Sequence, residues 1–146
     1  MNKVSEIQIS YRPAIGRKPL IQSALDAYVE LKEFFSKDTI ALQEQFVCMY
    51  LNRQGRALGV YHMSKGGMSG TIVDIKLLLS VALKVAASSV ILCHNHPSGN
   101  IKPSTEDKEI TKKIQSACKF LDIDVHDHII VSPENNYLSF AREGLL

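Results

Sequence analysis

Two histidines one residue apart, His94 and His96, precede a Ser-x-x-Asp pair, Ser104 and Asp107, in the run His94-Asn95-His96-Pro97-Ser98-Gly99-Asn100-Ile101-Lys102-Pro103-Ser104-Thr105-Glu106-Asp107. An apolar stretch leads into this run and a helical pattern follows it. Side chains on an extended backbone repeat every second residue, so both imidazoles can point to one side. Asp107, in the first turn of the following helix, can return a carboxylate oxygen to the same point. Two nitrogens and one oxygen make a three-ligand set suited to Zn²⁺, with a fourth position left for water. That open position separates a catalytic site from a structural one.

A His-x-His pair is weak evidence alone, since chance supplies about 0.17 of them in a chain of this composition. This chain has two. The second, His126-Asp127-His128, falls on a predicted strand with no comparable loop or downstream acid. It reads as a structural or supporting group, with Asp127 available as the carboxylate partner that a ligating histidine needs. Ser104 and Asp107 by themselves read as a capping arrangement. Capping and chemistry are compatible, because a helix N-terminus beside a metal presents positive backbone dipoles to an oxyanion. Cys93 adjoins His94 but should face the other side of the strand, which favours packing over ligation.

Several elements must position these groups. Over residues 23–37, Ala24, Tyr28, Leu31 and Phe35 share one helical face while Asp26, Glu30, Glu33 and Lys37 share the other. Residues 44–52 and 57–63 are strand-like, and Arg53-Gln54-Gly55-Arg56 joins them as a hairpin turn. Asp74 can cap a helix reaching about Ala87. Residues 90–93 form a short buried strand, 104–121 have helical spacing, and 125–131 with 137–140 form a second hairpin. The opening segment alternates through Glu6, Ile7, Gln8 and Ile9 and could pair at a sheet edge before Pro13 and Pro19 stop it. Strands and helices interleave without strict βαβ alternation, so a mixed sheet with packed helices is expected. Residues 1–22 are expected to be an N-terminal extension and 23–146 the folded domain.

With 146 residues, 45% of them hydrophobic and 22% charged, the chain can fold as one domain. It is not collagen-like, low-complexity or intrinsically disordered. A formal net charge of +2, concentrated toward the first 20 residues, gives no basic stripe, so a nucleic-acid partner is unsupported. The three cysteines, Cys48, Cys93 and Cys118, lie among apolar residues, as reduced thiols in a cytoplasmic protein would. The first 20 residues lack a secretory signal. The longest apolar stretch, 77–93, is interrupted by Lys84, Ser88 and Ser89, so no membrane partner is expected.

The pattern His-x-His, seven residues, Ser, two residues, Asp at His94, His96, Ser104 and Asp107 resembles the JAMM signature of JAB/MPN metallopeptidases. The run His94-Asn95-His96-Pro97-Ser98-Gly99 and the later Asp127-His128-Ile129-Ile130-Val131 narrow the likeness to the bacterial RadC-like branch, over approximately residues 41–140. The resemblance implies an α/β (α+β) domain, a mixed, curved β-sheet flanked by helices, with zinc held by His94, His96 and Asp107. Active members of the wider family hydrolyse amide bonds, including isopeptide bonds to ubiquitin-like proteins. The family pattern also has an early-strand glutamate, best matched by Glu44, with Glu30 and Glu33 poorer matches on the preceding helix. Longer RadC-like proteins carry a helical N-terminal region for which 146 residues leave no room, so a short form is expected. An Arg expected after Val73-Asp74 appears as Lys76.

The function implied is a zinc-dependent amide hydrolase acting on a protein or peptide. Glu44 would be the general base and Ser104 the donor to the oxyanion. The alternative is a protein- or DNA-associated binding module that retains the metal without turnover. A His-Asn-His nuclease would spread its motif over a ββα unit, and a nucleobase deaminase would need His-x-Glu and Pro-Cys-x-x-Cys elements that do not occur.

Overall fold

The computed structural model describes residues 3–65 and 73–146, Lys65 by its backbone alone. The elements run α1 (Ala24–Leu31), β1 (Gln45–Leu51), β2 (Ala57–Lys65), α2 (Ile75–Lys84), β3 (Ser89–Asn95), α3 (Thr105–Lys119), β4 (Asp124–Val131) and β5 (Tyr137–Ser139). Five strands form one mixed sheet in the order β2-β1-β3-β4-β5. β1 pairs antiparallel with β2 and β3, β3 pairs parallel with β4, and β4 pairs antiparallel with β5. α3 is the crossover that the parallel pair requires. This is the mixed α+β architecture that the interleaved pattern predicts.

Helices cover both faces of the sheet, which is why every residue of β1 and β3 is buried. Strand alternation sorts their side chains. Val47, Met49, Leu51, Ile91 and Cys93 pack with Tyr28 and Leu31 of α1. Phe46, Cys48, Tyr50, Val90 and Leu92 pack with Leu78 of α2 and Ile114 of α3. Cys93 therefore faces away from the α3 side, as alternation requires of a neighbour of His94. The Tyr50 hydroxyl donates to the Leu78 carbonyl at 2.9 Å and satisfies the one polar end of a wholly buried ring.

Local chemistry sets the boundaries. Ser23 caps α1 by accepting from the Asp26 amide, and Asp74 caps α2 by accepting from the Leu77 amide. α1 is shorter than the 23–37 periodicity predicts: it tightens to a 3-10 turn at Lys32–Phe34, and Phe35 is extended and buried against the sheet. The core captures Phe35, and the Ser36 hydroxyl then bonds the Asp38 amide, so local turn chemistry replaces the next helical turn. In the first hairpin, Asn52 Oδ1 accepts from the amides of Gln54 and Arg56.

No strand forms over residues 6–9, where alternation predicts an edge strand. The segment touches the edge only at points: the Tyr11 hydroxyl donates to the Leu58 carbonyl at 2.7 Å, and Leu20 makes a single bridge with Arg56. Pro13 and Pro19 offer no N–H to a ladder, and Ile7, Ile9 and Ile15 stay exposed. Among the described residues no helix is long and apolar enough to cross a membrane.

Candidate metal centre

β3 carries the first histidine. His94 lies on the α3 side of the sheet, with its ring stacked 5.8 Å from that of Phe46 and 2% of its side chain exposed. Past the end of β3 the chain turns at Pro97-Ser98-Gly99. The His96 amide donates to the Val131 carbonyl of β4, and Gly99 takes φ +87°. A side chain at Gly99 would also meet the Glu134 carboxylate, with oxygens 2.7 and 3.0 Å from a Cβ. This anchored turn brings His96 Nε2 to 3.0 Å from His94 Nε2.

α3 supplies the carboxylate through its capping box. The Ser104 hydroxyl oxygen accepts from the Asp107 amide at 3.0 Å, while Asp107 Oδ2 accepts from the Ser104 amide at 2.8 Å. Asp107 Oδ1 then lies 3.2 Å from His94 Nε2, and Oδ2 lies 3.1 Å from His96 Nε2. Ser104 is thus a helix cap that aims Asp107, and its own hydroxyl proton stays uncommitted to the cap.

Glu44 precedes β1 and is positioned by Asn95. Fully buried on the α1 side, Asn95 accepts from the Gln45 amide at 2.7 Å and donates to the carbonyls of Ile40 and Gln43 at 2.8 and 2.9 Å. These bonds bracket Glu44 on both sides. Its Oε1 comes to 3.8 and 3.9 Å from the Nε2 atoms of His94 and His96. One ligand atom from each of Glu44, His94, His96 and Asp107 lies within 4.8 Å of all the others.

This cluster fits a metal ion. Tetrahedral donors with bonds of about 2.0–2.1 Å sit roughly 3.3 Å apart, close to the 3.0–3.2 Å among His94, His96 and Asp107. Glu44 stands farther out, beside that set. The protons also point away from the centre: His96 Nδ1 donates to the Asn100 carbonyl at 2.7 Å, leaving Nε2 as a lone pair. The His96 lone pair, a second imidazole nitrogen and two carboxylates this close favour positive charge between them.

The titration pattern of the metal-free groups says the same. Burial opposes charge on His96, but the hydrogen bond to Asp107, the Asn100 carbonyl and the charges of Asp107 and Glu44 outweigh it and raise the imidazole. Burial likewise opposes ionisation of Asp107, yet the two histidines and the Ser104 amide hold its carboxyl far below the usual carboxylate range. A proton fills the need for charge in part, and a divalent cation fills it better.

The support behind the ligands comes from the second histidine pair, as expected, but not from its Asp127. Among the described residues, Asp127 makes no hydrogen bond to a ligating histidine. It accepts from the His128 and Ala141 amides and from the Ser139 hydroxyl, tying β4 to the chain end. Instead, His128 Nε2 lies 2.7 Å from His94 Nδ1, and Thr111 Oγ1 lies 2.7 Å from His128 Nδ1. Neither Thr111 nor the Asn95 clamp stands out in the sequence. The available signal for Thr111 is its spacing four residues after Asp107, on the same face of α3.

The RadC-like JAB domain family matches residues 21–145. Relatives, each bearing the name UPF0758 protein, include one from Flavobacterium johnsoniae, 40% identical over 125 residues, which are 86% of this chain and 53% of the relative. One from Porphyromonas gingivalis is 33% identical over 98% of this chain and 63% of its own length. UPF0758 protein YfjY of Escherichia coli is 41% identical over 71% of this chain and 64% of its own length. The chain thus spans between about half and two thirds of each of these curated relatives. A match along nearly the whole chain, on a mixed sheet that gathers Glu44, His94, His96 and Asp107 at one point, makes this chain a member of the RadC-like JAB domain family.

Proposed function

We propose that this chain is a zinc-dependent hydrolase of amide bonds, isopeptide bonds included, acting on a protein or peptide. The observation that carries the reading is a carboxylate, Glu44, held beside three donors rather than spaced as one of them. His94, His96 and Asp107 would hold the ion. Bound zinc supplies a Lewis acid that polarises a carbonyl and acidifies a water molecule toward a pKa of about 7.

The chain's own groups supply the rest. Glu44 accepts the proton of the attacking water and returns it to the leaving amine. The Ser104 hydroxyl, whose oxygen accepts within the cap, keeps its proton to donate to the oxyanion. The helix N-terminus beneath it favours the same negative charge. Glu44, His96 and Asp107 each keep 14–17% of their side chains exposed, so an extended polypeptide can reach them.

The test is metal analysis with hydrolysis of a panel of peptides and ubiquitin-like conjugates. Glu44→Gln should retain one equivalent of zinc and lose turnover by about 10²-fold or more, whereas His96→Ala should lose both. Equal turnover in wild type and Glu44→Gln removes Glu44 as the base. Stoichiometric zinc with no hydrolysis across the panel overturns the enzyme reading in favour of a binding module.

A further inference from the structure

We infer that His128, through Thr111, is the positioning residue that fixes the tautomer of His94 and thereby turns its Nε2 lone pair toward the metal centre. The inference rests on the metal reading of the site, not on turnover. Its ground is the direction of three consecutive hydrogen bonds. The Thr111 hydroxyl lies 2.6 Å from the Asp107 carbonyl, which has no proton to give, so Thr111 is the donor there. With that proton spent, Thr111 Oγ1 faces His128 Nδ1 at 2.7 Å as an acceptor, and Nδ1 carries the hydrogen. A neutral His128 then presents a bare Nε2 to His94 Nδ1 at 2.7 Å, and His94 must donate. His94 Nε2 is left unprotonated and faces Asp107 Oδ1 and His96 Nε2.

The surroundings leave His128 no other arrangement. It is wholly buried, stacked on Phe140 at 4.6 Å and edge-on to Phe46 at 5.5 Å, so its two ring nitrogens meet Thr111 and His94. The path also closes on itself. It leaves one ligand at His94, crosses β4 to α3, and ends on the backbone of a second ligand, Asp107. A break at Thr111 therefore reaches the metal through proton placement, since its hydroxyl bonds the Asp107 backbone and His128 rather than a ligand atom.

Thr111→Val removes both the donor and the acceptor with little change of shape, freeing His128 to carry its proton on Nε2 and pushing that of His94 onto its own Nε2. Thr111→Ser keeps the hydroxyl. The full chain, ¹⁵N-labelled and metal-free at mildly alkaline pH, should show His94 with a protonated Nδ1 in wild type and Thr111→Ser, and a protonated Nε2 in Thr111→Val. Zinc affinity, measured by competition with a chromophoric chelator, should fall about 10- to 100-fold in Thr111→Val and in His128→Phe. It should stay within about threefold in Thr111→Ser, and recover in part in His128→Gln, whose amide can accept from His94 while donating to Thr111. A purely structural role would lower the melting temperature and leave both readouts unchanged. An unaltered His94 tautomer in Thr111→Val, with zinc affinity within about twofold of wild type, overturns the inference. A wild type that binds no zinc would instead defeat the metal reading, and the tautomers of the metal-free protein would still decide the relay.

Discussion

Asn95→Ala should destabilise the metal-free protein by about 2–5 kcal/mol and release Glu44 while leaving the three metal donors in place. The magnitude follows from what the amide holds. The Gln45 amide loses its acceptor, and because Gln45 is 3% exposed no water replaces it. A buried orphan donor of this kind costs about 1–3 kcal/mol. The carbonyls of Ile40 and Gln43 lose their donors at half-buried positions, where partial hydration limits the cost to about 0.5–1 kcal/mol each. Urea denaturation in the presence of a chelator measures the sum, and hydrogen exchange at the Gln45 amide locates it. Zinc affinity should change by less than about threefold, whereas hydrolysis should fall by about 10²-fold, the loss expected when a reacting group is misplaced by an ångström. A stability loss below about 0.5 kcal/mol, or unchanged protection at Gln45, would refute the clamp. Asn95→Asp adds a sign to check. Its carboxylate keeps the bond from Gln45 but turns lone pairs on two carbonyls, so its folded pKa is raised, and its deficit should shrink as pH falls and the group protonates.

Zinc affinity should weaken as pH falls. The carboxylates that raise His96 strengthen the proton's competition, so affinity should be flat above the raised value and drop by up to about tenfold per pH unit below it. Equilibrium titrations from about pH 8 to about pH 5.5 check this, and a pH-independent dissociation constant contradicts it. At the end of α2, Ala86 sits at φ +53° while the Ala87 amide bonds back to the Ala82 carbonyl, so Ala86→Gly should stabilise the fold by about 0.5–1 kcal/mol in urea melts. No gain, or a loss, would show that this left-handed position is unstrained.

What the sequence made legible follows from the range of each interaction. Strands β1 through β5, the caps at Asp74 and Ser104, and the turn at residues 53–56 are local patterns of alternation and side-chain oxygen, and they appear at or near the expected places. His94, His96 and Asp107 are legible together because one strand, one turn and one helix cap join them over a short run. Glu44 is not legible by spacing, since a strand-edge glutamate is ordinarily a solvated charge, and only family resemblance singles it out. The loss of α1 beyond Leu31 and the unpaired residues 6–9 depend on tertiary capture of Phe35 and on missing proline donors. His128 takes the supporting place expected of its pair, but Asp127 does not become the carboxylate partner, for a similar reason. The β3–β4 ladder shifts register between Val90 and Ile91, setting His128 opposite Leu92, and nothing in a one-dimensional pattern announces that shift.

On the proposed reading, the alternation of β3 makes metal binding and proton handling separable. His94 faces α3, where His128, Thr111 and Asp107 meet it, while Asn95 faces α1 and grips the segment carrying Glu44. Neighbouring residues of one strand therefore govern the two halves of the site from opposite faces of the sheet. The metal half is built on a strand, a helix cap and an anchored turn, and its ligands constrain one another at 3.0–3.2 Å. Glu44 instead lies on an irregular segment that the buried Asn95 amide grips on both sides. If the chain is the proposed hydrolase, sequence change at Asn95 or in residues 40–45 should abolish hydrolysis with metal binding intact, whereas damage to the His94 side should remove both. A chain that binds zinc is on this account not yet an enzyme, and the state of the Asn95 clamp, read at the Gln45 amide, distinguishes a hydrolase from a module that has kept only the ion.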